Sequence, residues 1–153
     1  MMEPVVKELH VAVDPDAAFR RFTVELSLWW PRATHSLSQE RCVDVRMEPW
    51  VGGRLYEVAD DGTQQTWGSI LTWSAPAIVS FSWHVGRAPD DRPQRVHVQF
   101  LAQGSGTQVR LEHGDWDLLG DEAEAMRAGY DSGWTGVLAT FVESLSGDVT
   151  AAH

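Results

Sequence analysis

Three histidines, His84, His97 and His113, fall at or inside neighbouring strand-like segments, and Asp115 follows the last of them. Three imidazoles brought together could bind zinc. An imidazole at the mouth of a cavity could exchange protons near neutral pH. The spacing matches no metal signature, because the chain has no HExxH and no cysteine cluster. His97 alternates with Val96 and Val98, so its ring should point outward while theirs point to the core. Neither a metal nor a cofactor is expected. Glu57 and Tyr130 join His84 and His113 as ionisable groups that could face inward, but their spacing assigns no catalytic residue.

Other catalytic patterns are missing. There is no GxSxG elbow, P-loop or GxGxxG. Asp60-Asp61 and Asp90-Asp91 sit in turn-like runs, and Asp121, Glu122 and Glu124 sit where acids favour the positive end of a helix. Lys7 is the only lysine beside 11 arginines, so Schiff-base chemistry is confined to it. Cys42 is the only cysteine. It can form no intramolecular disulfide, and as a small buried hydrophobe it suits a reducing compartment.

Tryptophan is the unusual count. Trp29, Trp30, Trp50, Trp67, Trp73, Trp83, Trp116 and Trp134 stand in a chain of 153 residues. Each aromatic ring can bury ~150–250 Å². The rings could fill a core, which is the plainer account of any one of them. They could instead line a cavity suited to flat or apolar ligands.

The elements that must position these groups follow from periodicity. Val5, Lys7, Leu9, Val11 and Val13 share one face of a first strand, with Lys7 the exception among apolar residues. Asp14-Pro15 opens a helix, with Asp14 as N-cap, and Ala18, Phe19, Phe22 and Leu26 give its stripe to about Leu26. Leu28-Trp29-Trp30-Pro31 reads as a second short helix or turn. Period-two segments then begin at Cys42, Arg54, Thr66, Ala77, Arg95 and Thr107. They are separated by Pro49–Gly53, Asp60-Asp61-Gly62, Pro76, a polar loop at Gly86–Pro93, and Gly104-Ser105-Gly106. A last helix runs from about Asp121 to Ser146, with Met126, Tyr130, Trp134, Val137, Phe141 and Leu145 as its stripe and Gly147 placed to stop it. Gly129, Gly133 and Gly136 interrupt this helix. Each costs up to about 1 kcal/mol relative to alanine. Close packing against strands is the plainer reason for them, and room for a ligand beside Tyr130 and Trp134 is the other.

The order of elements, with the blocks Val11–Phe22, Met47–Leu55, Gly68–Trp83 and Gly133-Trp134, resembles the START-like (SRPBCC) superfamily. Within it the chain is similar to the branch named for the activator of heat-shock protein 90 ATPase, in its single-domain bacterial form. The resemblance implies an α+β helix-grip fold. A curved antiparallel sheet of about seven strands wraps a long C-terminal helix, and two short helices follow the first strand. It also implies a cavity between sheet and helix. The residues expected to bind a ligand there are Trp67, Phe81, Trp83, Phe100, Tyr130 and Trp134.

One domain is expected over 5–147, with 1–4 and 148–153 as tails. No apolar run reaches the ~18 residues of a membrane span, no signal sequence is legible at the N-terminus, and a cytoplasmic location is expected. A formal net charge of −10 disfavours phosphate backbones and anionic membranes as partners. The expected function is binding of a small apolar or aromatic molecule, a lipid or aromatic metabolite, without defined catalysis. One alternative is a cavity enzyme (cyclase, dehydratase or hydrolase) using an inward His or Glu. The other is a co-chaperone-like interaction module, which needs an exposed apolar patch. Such a patch would serve a homodimer equally.

Overall fold

The computed structural model describes residues 2–86, 88 and 93–151, with side chains as far as Leu145. Most of the expected polar loop at Gly86–Pro93 lies outside the described residues. The strands are β1 (Val5–Val11), β2 (Cys42–Met47), β3 (Arg54–Ala59), β4 (Gln64–Ser74), β5 (Ile78–Trp83), β6 (Gln94–Gln103) and β7 (Gly106–Gly114). The helices are α1 (Pro15–Phe22) and α2 (Ala123–Ala151). All seven strands pair antiparallel in the order β1-β7-β6-β5-β4-β3-β2. Register shifts between Cys42 and Asp44, Leu55 and Tyr56, and Ile70 and Thr72 bend this half of the sheet. The result is the curled half-barrel around a long C-terminal helix that the family resemblance implied.

The inner face is largely apolar, as the period-two rows predict, with Glu57, Gln94 and His113 among its buried polar exceptions. Val79, Phe81, Val96, Val98, Phe100, Val109 and Leu111 are all buried. Lys7 breaks its row but is not stranded, because Nζ lies 2.5 Å from Asp131 Oδ1 on α2. Gly68 lets β4 pass close to β5. A Cβ there would lie 1.7 Å from the Ser82 carbonyl oxygen. Gly52 holds φ at +87° in the β2–β3 turn, a conformation that suits glycine.

Asp14 caps α1, its Oδ1 accepting the Ala17 N–H at 2.9 Å. The helix ends at Phe22 rather than Leu26. Thr23 leaves helical geometry and donates its hydroxyl to the Phe19 carbonyl at 2.7 Å. Leu26 and Trp29 are then buried from a separate 3₁₀ turn, Leu26–Leu28. At the other end, a 3₁₀ turn at Trp116–Glu122 buries Trp116 and Leu119 before α2 begins. Trp134, Val137, Leu138, Phe141 and Leu145 form the buried stripe of α2. Met126, expected on that stripe, is exposed instead. Gly147 does not stop the helix, which continues to Ala151. Of the eight tryptophans, Trp50 alone is exposed.

Candidate functional site

A cavity of about 220 Å³ opens between α2, the β4 and β5 strands and the irregular segment 30–37. Its wall is aromatic. Trp67 comes from β4, Trp83 from the end of β5, Tyr130 and Trp134 from α2, and Trp30 from the turn after α1. The ring centroids are 5.2 Å apart for Trp30–Trp67, 5.8 Å for Trp67–Trp83, 5.6 Å for Trp83–Trp134 and 6.0 Å for Trp83–Tyr130. These are contact distances for aromatic pairs, so the rings make one continuous surface. Thr34, His35, Ser36 and Leu37 form the mouth.

The polar edges of three wall indoles are already committed. Trp30 donates its N–H to the His35 carbonyl at 2.8 Å, Trp67 to Glu57 Oε1 at 2.7 Å and Trp134 to His113 Nδ1 at 3.0 Å. Those bonds fix the rings. The cavity therefore offers aromatic surface at its wall and polar chemistry mainly at its mouth. There His35 Nδ1 sits 2.8 Å from the Thr34 hydroxyl. Among the described residues the Tyr130 hydroxyl has no hydrogen-bond partner, so it can offer a bond to a bound molecule.

The inward ionisable groups divide by what already holds them. Glu57 is fully buried and accepts three N–H groups: Leu37 and Ser38 from the backbone and Trp67 from its indole, each at 2.7 Å. His113 is fully buried behind the wall, 3.1 Å from Gln94 Oε1 through Nε2. His84 is buried at the end of β5, its backbone N–H bonded to the Trp67 carbonyl. His97 is less buried than Val96 and Val98 on either side of it, as expected for a ring on the other face of β6. No group of three or more His, Cys, Asp or Glu among the described residues is placed to hold a metal ion.

Four of the six residues expected at the cavity, Trp67, Trp83, Tyr130 and Trp134, line it, and Phe81 and Phe100 do not. Helix α1 covers the sheet at Phe100, whose ring packs on Phe19 at 5.2 Å and Phe22 at 5.7 Å. Phe81 lies deeper along β5, 6.1 Å from the Trp83 ring. Trp30, His35 and Leu37 escaped the sequence reading. The Trp29-Trp30-Pro31 run was a visible signal for the first of them, but segment 32–41 has no period that could place the others. The glycines of α2 also read differently. A Cβ at Gly129, Gly133 or Gly136 would meet nothing within 4 Å, so close packing is not their reason. Gly133 lines the cavity.

A bent antiparallel sheet gripping a C-terminal helix, with a cavity between them, defines the helix-grip class of START-like proteins. The chain belongs to the activator of Hsp90 ATPase homolog 1-like family, whose model matches residues 12–146. Among solved structures it is similar to an anthrahydroquino-gamma-pyrone synthase, Txn09, complexed with SUM. That likeness has 34% identity over 94% of this chain and 97% of that one, with a TM-score of 0.66. The AHSA1-like protein of Aeromonas hydrophila is 22% identical over 95% of this chain and 93% of its own, with a TM-score of 0.67. The Aha1 dimer of Colwellia psychrerythraea is 17% identical over 94% and 96%, with a TM-score of 0.69. These last two show the shared fold. A comparison with curated proteins gave no match.

Proposed function

We propose that the chain takes a flat, largely apolar aromatic molecule into the cavity between α2 and the β4–β5 strands. The observation that carries this reading is the continuous wall of Trp30, Trp67, Trp83, Tyr130 and Trp134. Aromatic lining with a few convergent polar groups is the usual make-up of a small-molecule site. An apolar cavity of ~150 Å³ holds benzene. About 220 Å³ suits a fused two-ring system, or a larger one with an edge in the mouth. Titration with naphthalene, 2-naphthol, flavone and a saturated fatty acid, read by tryptophan fluorescence and thermal shift, tests it. Saturable quenching by the ring compounds is the expected result. No response to any of them, or a response to the fatty acid alone, would sink it.

A second reading is catalysis on such a ligand. It is supported by the 34% identity with a pyrone synthase across nearly the whole of both chains. His35 and Tyr130 are the proton-exchanging side chains on the cavity lining. Both could serve a ring closure, with one taking a proton from a ring hydroxyl and the other supplying one. Product formation from an ortho-hydroxyaryl ketone bearing an unsaturated side chain is the corresponding assay. Recovery of unchanged substrate after long incubation would leave binding alone.

A further inference from the structure

Glu57 does not line the cavity, yet its carboxylate joins two of the cavity's parts. Oε1 accepts the Leu37 amide and the Trp67 indole N–H, and Oε2 accepts the Ser38 amide. Leu37 belongs to the mouth and Trp67 to the wall. The carboxylate is fully buried, and among the described residues no cationic side chain forms an ion pair with it. Three N–H donors replace the lost water.

A buried anion is a poor choice for stability alone, since an apolar side chain of similar volume commonly serves as well or better. Its geometric use is different. Two adjacent backbone amides can be gripped by one carboxylate with both oxygens engaged, and no apolar side chain can do that. Segment 30–37 is irregular and makes no strand pairing of its own. The Glu57 bonds tie the end of this segment to β3.

We infer that Glu57 is a positioning residue, the clamp that holds the Thr34–Leu37 mouth over the cavity and sets how fast a ligand enters and leaves. The inference rests on the cavity reading above, and part of its test needs no ligand.

The Glu57→Gln variant keeps the volume but turns an amide NH₂ toward a donor, so at least one of the three bonds is lost. Hydrogen exchange at the Leu37 and Ser38 amides should accelerate at least tenfold, while exchange at Val98 and Leu111 in the sheet core stays within twofold. Stopped-flow fluorescence with 2-naphthol should show association and dissociation both at least threefold faster, with the Kd changed less than either rate. Unchanged exchange at Leu37 and Ser38 overturns the clamp. Faster exchange with unchanged 2-naphthol rates overturns its control of the mouth. No 2-naphthol binding to the wild-type chain removes the cavity reading, and the control role with it, whatever the amides do.

Should Glu57→Gln fail to fold, Ser38→Pro is the second variant. Ser38 has φ of −83°, near the value proline imposes, and the substitution deletes one donor at a half-buried position. The same amide and rate measurements then apply, read at Leu37.

Discussion

Trp134 donates its indole N–H to Nδ1 of His113 across 3.0 Å, joining α2 to β7 behind the cavity wall. Nδ1 is therefore the acceptor, and the ring's proton sits on Nε2, facing Gln94 Oε1 at 3.1 Å. His113 is a spacer that aims Trp134, and its acceptor nitrogen is not open to a ligand. His113→Ala would orphan the Trp134 indole and leave a hole, and each effect is large. The expected loss is about 3 kcal/mol, measured by urea unfolding. A loss under about 1 kcal/mol would show the bond to be incidental.

The α2 glycines separate backbone cost from cavity space. Gly129→Ala and Gly136→Ala should each raise stability by about 0.5–1 kcal/mol, because open surroundings leave only the helix-propensity gain. Gly133→Leu should instead fill the cavity and weaken 2-naphthol binding at least tenfold in a fluorescence titration. Equal affinity in that variant would place the ligand elsewhere.

Phe100 provides the converse test. Its ring belongs to the α1 core, 5.2 Å from Phe19, although the strand pattern suggested the cavity. Phe100→Leu should cost about 1–2 kcal/mol by thermal or urea unfolding. Ligand affinity should stay within twofold.

Glu25 gives a pH dependence of known sign. Hydrogen bonds from Arg21 first, and Arg20 after it, hold its carboxyl below the usual range, against partial burial that raises it. The Arg21 Nε–Glu25 Oε1 distance is 2.9 Å, and Arg21 also reaches the Ser144 carbonyl on α2 at 3.1 Å. A depressed carboxylate stabilises fully above its unfolded value of about 4.3 and loses that contribution as pH falls through the lower folded value. Stability measured from pH 6 to pH 2 should therefore fall less steeply in Glu25→Gln than in the wild type. Parallel curves would deny the pair a role.

What the sequence showed and what it hid divide along one physical line. Trp67, Trp83, Tyr130 and Trp134 lie in strands or a helix, where a fixed period converts spacing into direction. Phe81 and Phe100 obey the same period. They missed the cavity because periodicity gives the face of a strand and not the position along it that a neighbouring helix covers. His35 and Leu37 lie in a segment without a period, so no spacing rule could turn them toward α2. Glu57 stands among the ionisable groups that could face inward, and the structure buries it on the same face of β3 as Leu55. Its partners are 10 to 20 residues away and come together only when the sheet curls.

The inward rings, with three of their N–H groups engaged elsewhere, have a consequence for how such a protein diversifies. If the cavity takes the proposed ligand, a wall of bonded indoles would accept flat shapes broadly and distinguish poorly among them. On the proposed reading, discrimination would rest on the Tyr130 hydroxyl and on residues 34–37, a short stretch outside every strand and helix where exchanging one side chain disturbs no strand ladder. The fold thus separates a wall held in strands and helix from a mouth that no strand ladder constrains. On that reading, a new ligand preference would come from a few changes at the mouth, with the strands and their pairing left as they are.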